Sequence, residues 1–151
     1  MLSYILYLSR RRASTSNDDI ERMLVGAQSF NDRHAITGLL VCGHHWFLQH
    51  LEGREVDIEK AYRRILTSAL HDNVTKLGGG LLLGREFATW SMAGLGSSQL
   101  DATMAELGLD PARNVAIPST PSKLMTVLAS SRRILEAAGG INAGAPVVFL
   151  D

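Results

Sequence analysis

The stretch Ala35-Ile36-Thr37-Gly38-Leu39-Leu40-Val41-Cys42, followed after Gly43, His44 and His45 by Trp46-Phe47-Leu48-Gln49-His50-Leu51-Glu52, decides the fold. Two apolar runs separated by so short a connection read as a β-hairpin. Alternation along the second run puts Phe47, Gln49 and Leu51 on one face and Trp46, Leu48 and His50 on the other.

Upstream, Leu2 to Ser9 alternates in the same way, with Leu2, Tyr4, Leu6 and Leu8 opposite Ser3, Ile5, Tyr7 and Ser9. Both faces carry large apolar or aromatic groups, which predicts a central strand covered on both sides. Between this strand and the hairpin, Ser16 and Asp19 stand at capping-box spacing. Ile20, Met23, Leu24 and Ala27 follow at helical intervals, giving a helix that ends near Phe30.

Downstream of the hairpin, Asp57 to Ala69 reads as a second helix with Ile58, Ala61, Tyr62, Ile65 and Ala69 on its apolar side. A strand over Val74 to Leu83 follows, in which Gly78, Gly79 and Gly80 signal a bulge or the close approach of another group. A last strand runs from Phe87 to Leu95. The order β-α-β-β-α-β-β specifies an α+β, ferredoxin-like sheet with one added strand and both helices on one face.

The opposite face then needs its own cover, which the C-terminal third supplies as two helices. Ser98 to Leu107 is stopped at Gly108 and Pro111; Pro121 to Ala138 is opened by Thr120 and closed by Gly139 and Gly140. This divides the chain into a domain at 1–96, a helical cap at 97–138 and a tail at 139–151. The apolar Val147 to Leu150 of the tail packs, pairs with a sheet edge or stays mobile.

Composition narrows the function classes. With 151 residues and 46% hydrophobic content the chain holds a core without disulfides or a structural metal. The 15 basic residues balance 15 acidic ones, so the broad positive field of a nucleic-acid or membrane-surface binder is absent. Cys42 is the single cysteine, nothing spans a membrane, and the charges at Arg10 to Arg12 follow the N-terminal apolar run where a signal peptide has them first. The expected setting is the cytoplasm.

Few residues look like chemistry. Tyr7 and Gln49 are polar groups on strand faces otherwise built of apolar neighbours, and an unpartnered buried amide costs about 1–3 kcal/mol for each group left unsatisfied. They either satisfy each other and the backbone or face a polar ligand. Asn31 follows the first helix, where asparagine commonly serves as a left-handed cap. Trp90 and Met92 share one face of the last strand and read as core. His44 and His45 with Cys42 and His50 form no metal-ligand spacing. Cys42 itself reads as a small core residue, and Glu52, beside a turn glycine, has no carboxylate partner for acid–base work.

Four spaced segments resemble one family. Tyr7-Leu8-Ser9, Asn31 to Gly38 with Leu39-Leu40, Phe47-Leu48-Gln49-His50-Leu51-Glu52-Gly53, and Arg85-Glu86-Phe87-Ala88-Thr89-Trp90-Ser91-Met92 together look like a BLUF domain, the bacterial and algal blue-light sensor that uses FAD. The resemblance spans Met1 to Gly96. It implies that Tyr7 is the photoactive tyrosine, Gln49 the switching glutamine and Asn31 the residue that holds the flavin ring edge. Trp90 and Met92 then relay the signal. The ring is expected between the two helices, against Ile36 with Phe30 lining it, and His71 near the flavin tail. The family's Asp and Arg in that last segment have no counterpart in Ser68-Ala69-Leu70-His71-Asp72; Arg63, Arg64 and Lys76 either substitute for the arginine or, the favoured reading, are solvated surface charges.

The function this implies is light-driven electron and proton transfer from Tyr7 with rearrangement of the Gln49 hydrogen bonds, signalled to a downstream protein without an enzymatic step. A homo-oligomer is expected, with no nucleic-acid, membrane or metal partner. A flavin-less adaptor of the same fold and a small ferredoxin-like flavin enzyme are the alternatives.

Overall fold

A computed structural model of the chain describes residues 1–42 and 46–86, with Val41, Cys42, Gly94–Gly96 and Val148–Phe149 described by their backbone. The elements in order are β1 (Leu2–Arg11), α1 (Asn17–Arg33), β2 (Thr37–Cys42), β3 (Trp46–Arg54), α2 (Glu55–Leu66), β4 (His71–Leu81), β5 (Gly94–Gly96) and β6 (Val148–Phe149). They build one sheet in the order β4-β1-β3-β2-β5-β6. Pairing is antiparallel from β4 to β2 and parallel from β2 to β6. This is the α+β arrangement read from the sequence, with the hairpin strand β3 between β1 and β2.

Local chemistry sets the element ends. Ser16 Oγ accepts from the Asp19 backbone N–H (3.1 Å) and the Asp19 carboxylate accepts from the Ser16 N–H (2.9 Å), so the predicted capping box starts α1. The helix runs three residues past Phe30, and Asn31 belongs to its last turn rather than capping it. Its carbonyl accepts from the N–H groups of His34 (3.2 Å) and Ile36 (2.9 Å), and the left-handed residue that turns the chain is Ala35, at φ 51°. In α2, Asp57 lies inside the first turn, where its carboxylate accepts from Arg54 Nε at 2.8 Å; the helix accordingly begins two residues earlier than its apolar pattern.

The core lies between the sheet and the two helices, around Ile5, Ile20, Leu24, Ile36, Leu40, Phe47, Leu51, Ile58 and Ala61. On the other face Leu6, Leu8, Leu39 and Leu48 are equally buried, as two apolar faces require. Close approach fixes Gly38 on β2: a Cβ there would lie 2.1 Å from the His50 carbonyl oxygen. The glycine run of β4 gives both expected features. Gly78 and Gly80 leave room for the Tyr4 ring, and the pairing with β1 jumps from Leu6↔Gly78 to Tyr7↔Lys76, bulging at Leu77.

Of the strand expected over Phe87 to Leu95, only its end is described, as β5, and Val148–Phe149 pairs with that edge. The helical cap expected over 97–138, Trp90 and Met92 lie outside the described residues. No helix among the described residues is long and apolar enough to cross a membrane.

Candidate functional site

The two central strands bring the key polar pair together. Tyr7 and Gln49 are register partners across β1 and β3, both almost fully buried, and the phenol donates to Gln49 Oε1. With the amide oxygen turned to Tyr7, its N–H donors lie on the other side of the group.

Above this pair lies a cleft of about 240 Å³ between the sheet and both helices. Met23, Ala27, Phe30 and Asn31 of α1 form one wall, and Ala61, Arg64 and Ile65 of α2 form the other. Leu40, Phe47 and Leu51 join Tyr7 and Gln49 on the sheet side, while Ser68, Leu70 and His71 close the end after α2. The lining is apolar with a few convergent polar groups, the composition of a small-molecule site. A flat ring fits such a donor set: apolar side chains for its faces, the Asn31 and Gln49 amides for its polar edge, and a cation for a charged tail.

His71 is tied down at both ring nitrogens. Nε2 is 2.8 Å from the Ile65 carbonyl, which can only accept, so Nε2–H donates, and Nδ1 lies 2.7 Å from Ser9 Oγ. The ring thereby bridges the last turn of α2 to β1 and stands edge-on to Tyr7 at 6.1 Å and to Phe47 at 5.9 Å. Tyr62 packs on the far side of Tyr7, 6.3 Å between ring centres, and partial burial raises its hydroxyl pKa.

Arg64 is not only a solvated surface charge. Its guanidinium sits 4.2 Å from the centre of the Phe30 ring, which also stacks on the His34 imidazole at 4.1 Å. Spacing signals this position: with Ala61, Ile65 and Ser68 it continues the i, i+3, i+4, i+7 stripe that α2 turns to the cleft. Ile36, expected against the ring, lies in the core and does not line the cleft; Gly53, where a Cβ would be 3.2 Å from its Cγ1, makes room for it.

Glu52 is the residue that pattern reading undervalued. It is fully buried, accepts from His50 Nε2 at 2.8 Å, and accepts the Glu86 N–H at both carboxylate oxygens, 2.9 Å each. Alternation already placed it on the face of Trp46, Leu48 and His50. A carboxylate on an apolar face was the available signal.

The fold and the cleft define an α+β domain with a small-molecule site, and the family follows from the sequence match. The chain belongs to the BLUF family, sensors of blue-light using FAD, whose family model matches residues 2–93. Similar solved structures include BlsA in a photo-activated state, 23% identical with TM-score 0.73, covering 87% of this chain and 94% of that one. BlrB, a BLUF protein in its dark state, is 25% identical with TM-score 0.71, covering 86% of this chain and 96% of that one. BlrP1 of Klebsiella pneumoniae, with FMN and cyclic diGMP, is 26% identical with TM-score 0.63, covering 93% of this chain but 36% of that one. No curated protein sequence matches significantly.

Proposed function

We propose that this sensor registers blue light as a change in the hydrogen bond between Tyr7 and Gln49 and passes it to a protein partner by contact. The observation that carries the reading is the buried Tyr7 to Gln49 bond on the sheet side of the cleft. FAD, when bound, supplies the absorption of blue light and an excited state that takes up an electron. Tyr7 would be the electron donor of the pair, its hydroxyl proton moving along the existing bond toward Gln49 Oε1; the electron and a proton return to Tyr7 once the Gln49 amide has rearranged, so no net oxidation remains. Turning or tautomerising the Gln49 amide exchanges its acceptor and donor sides without changing the number of atoms that bond, which makes a two-state switch read as a population shift.

Other residues hold and orient. The Asn31 amide serves the ring edge, Phe30 packs on the bound group, and His71 fixes the packing around Tyr7 through Ser9 and Ile65. Arg64 is the cation that meets the phosphates in place of the arginine absent from Ser68 to Asp72, and Ile36 supports the site from the core behind it. Trp90 and Met92 carry the change toward the partner-facing surface, to which the cap at 97–138 contributes.

Absorption spectra of the purified protein, dark and illuminated, test the reading. A reversible shift in flavin absorption is expected, lost in Tyr7→Phe and in Gln49→Leu with flavin retained. Protein that stays colourless after FAD is added overturns it. Self-association, expected from the family resemblance, is checked by light scattering, where a monomer in dark and light removes that part.

A further inference from the structure

A second polar cluster lies on the side of β3 that faces away from the cleft. There His50 and Glu52, 2% and 0% exposed, form a buried polar pair that the light reaction does not use. Both oxygens of the Glu52 carboxylate accept from the Glu86 N–H. An ionised carboxylate only accepts, so in the 2.8 Å contact the His50 Nε2–H donates to it. Tyr4 fixes the imidazole plane, stacking on it at 5.4 Å and 16° from the β1 side. Arg85 adds a second clamp, donating to Thr37 Oγ1 (2.7 Å), the Glu52 carbonyl (3.0 Å) and the Ala35 carbonyl (2.6 Å).

We infer that His50 and Glu52 are positioning residues that couple the state of Gln49 to the chain that begins at Glu86. Gln49 and His50 are consecutive on a strand, so their side chains leave opposite faces of the same stretch of backbone. A reorientation of the Gln49 amide that shifts this backbone moves the His50 imidazole with it. The ring is held by Tyr4 and bonded to Glu52, and Glu52 in turn holds the amide of Glu86. Bonds to a carboxylate are among the stronger hydrogen bonds, and buried ones are not exchanged for water at small displacement. The change at Gln49 is thereby delivered through the sheet to the residue that leads into 87–93. This path is distinct from any contact made inside the cleft.

This inference rests on the light-sensing reading, and its test keeps the two apart. Amide hydrogen exchange is followed over peptides containing Glu86 to Ala93, in the dark and under blue light, beside the absorption shift of the same samples. In the natural protein the shift forms and protection at Glu86 changes with light. In Glu52→Gln, near in shape but lacking the charge, and in His50→Leu, the shift still forms because the cleft face is intact, while the light–dark difference at Glu86 falls at least about threefold. His50→Gln, which keeps an N–H donor, restores the difference. A purely structural role would lower protection equally in dark and light. Persistence of the full light response at Glu86 in Glu52→Gln overturns the coupling alone. No light-dependent exchange at Glu86 in the natural protein overturns it as well. Loss of the absorption shift in the natural protein overturns the light-sensing reading and the coupling together.

Discussion

Tyr7 and Gln49 face each other across the two central strands, and the only hydroxyl of the pair donates to the only carbonyl of the amide. Neither strand is at a sheet edge, so the relative position of the two side chains is set by β1–β3 pairing on one side and by β4 and β2 on the other. A change in such a pair therefore acts on two strands that are each paired on both sides.

Replacing Tyr7 by Phe leaves the Gln49 carbonyl without this donor. The expected loss is about 1 kcal/mol of stability in urea unfolding, with flavin still bound and the light-induced absorption shift gone. A normal shift in Tyr7→Phe would rule out the donor role.

Arg64→Ala removes the cation stacked on Phe30. If it meets the cofactor phosphates, FAD affinity falls about ten- to hundredfold, whereas riboflavin, which has no phosphate, is affected far less. Leu70→Arg in the same background is expected to recover FAD binding. Equal losses for FAD and riboflavin, measured by fluorescence titration, would assign Arg64 to packing.

Gly38→Ala places a methyl where the His50 carbonyl oxygen lies, 2.1 Å away. Backbone must move to admit it, and a cost of about 1–3 kcal/mol follows. A denaturation midpoint unchanged from the natural protein would contradict the β2–β3 spacing.

Acid sensitivity has a definite sign. The Arg10 guanidinium, donating to Asp72 at 2.7 and 3.0 Å, holds that carboxyl below its ordinary value; the Ser16 backbone N–H, the Ser16 side chain and Arg22 do the same for Asp19. A depressed carboxyl pKa stabilises the fold above the unfolded value, about 3.9, and this contribution is lost as pH falls through the folded one. Both groups are exposed, so the effect is modest. Urea midpoints between about pH 5 and pH 2.5 should fall less steeply in Asp72→Asn than in the natural protein; parallel curves would exclude the pair.

Much of this was legible because the sequence states it locally. Ser16 and Asp19 announce a cap by spacing, and period-two alternation groups Tyr7 with Ile5 and Gln49 with Phe47 and Leu51, leaving only the register between the strands to the structure. What was not legible depends on partners distant in the chain. His71 begins β4 three residues before the expected Val74, since its ring bonds to Ser9 and Ile65, and the register break beside it uses Asn73 at φ 50°. Asn31 looks like a helix cap by position, yet Ala35 makes the turn because Ile36 must bond back to the Asn31 carbonyl as β2 begins. Glu52 reads as a turn residue next to Gly53 until the strand is seen to continue to Arg54.

The Leu77 bulge has a bearing on how the protein survives at high concentration. β4 is an outer strand of the sheet, and outer strands offer unpaired backbone to any neighbour that can lie flat against them. Two breaks in its pairing with β1, three successive glycines and a lysine at 76 make β4 a poor template for a second copy. The glycines that admit Tyr4 and the bulge beside them together disfavour growth of the sheet into a fibril.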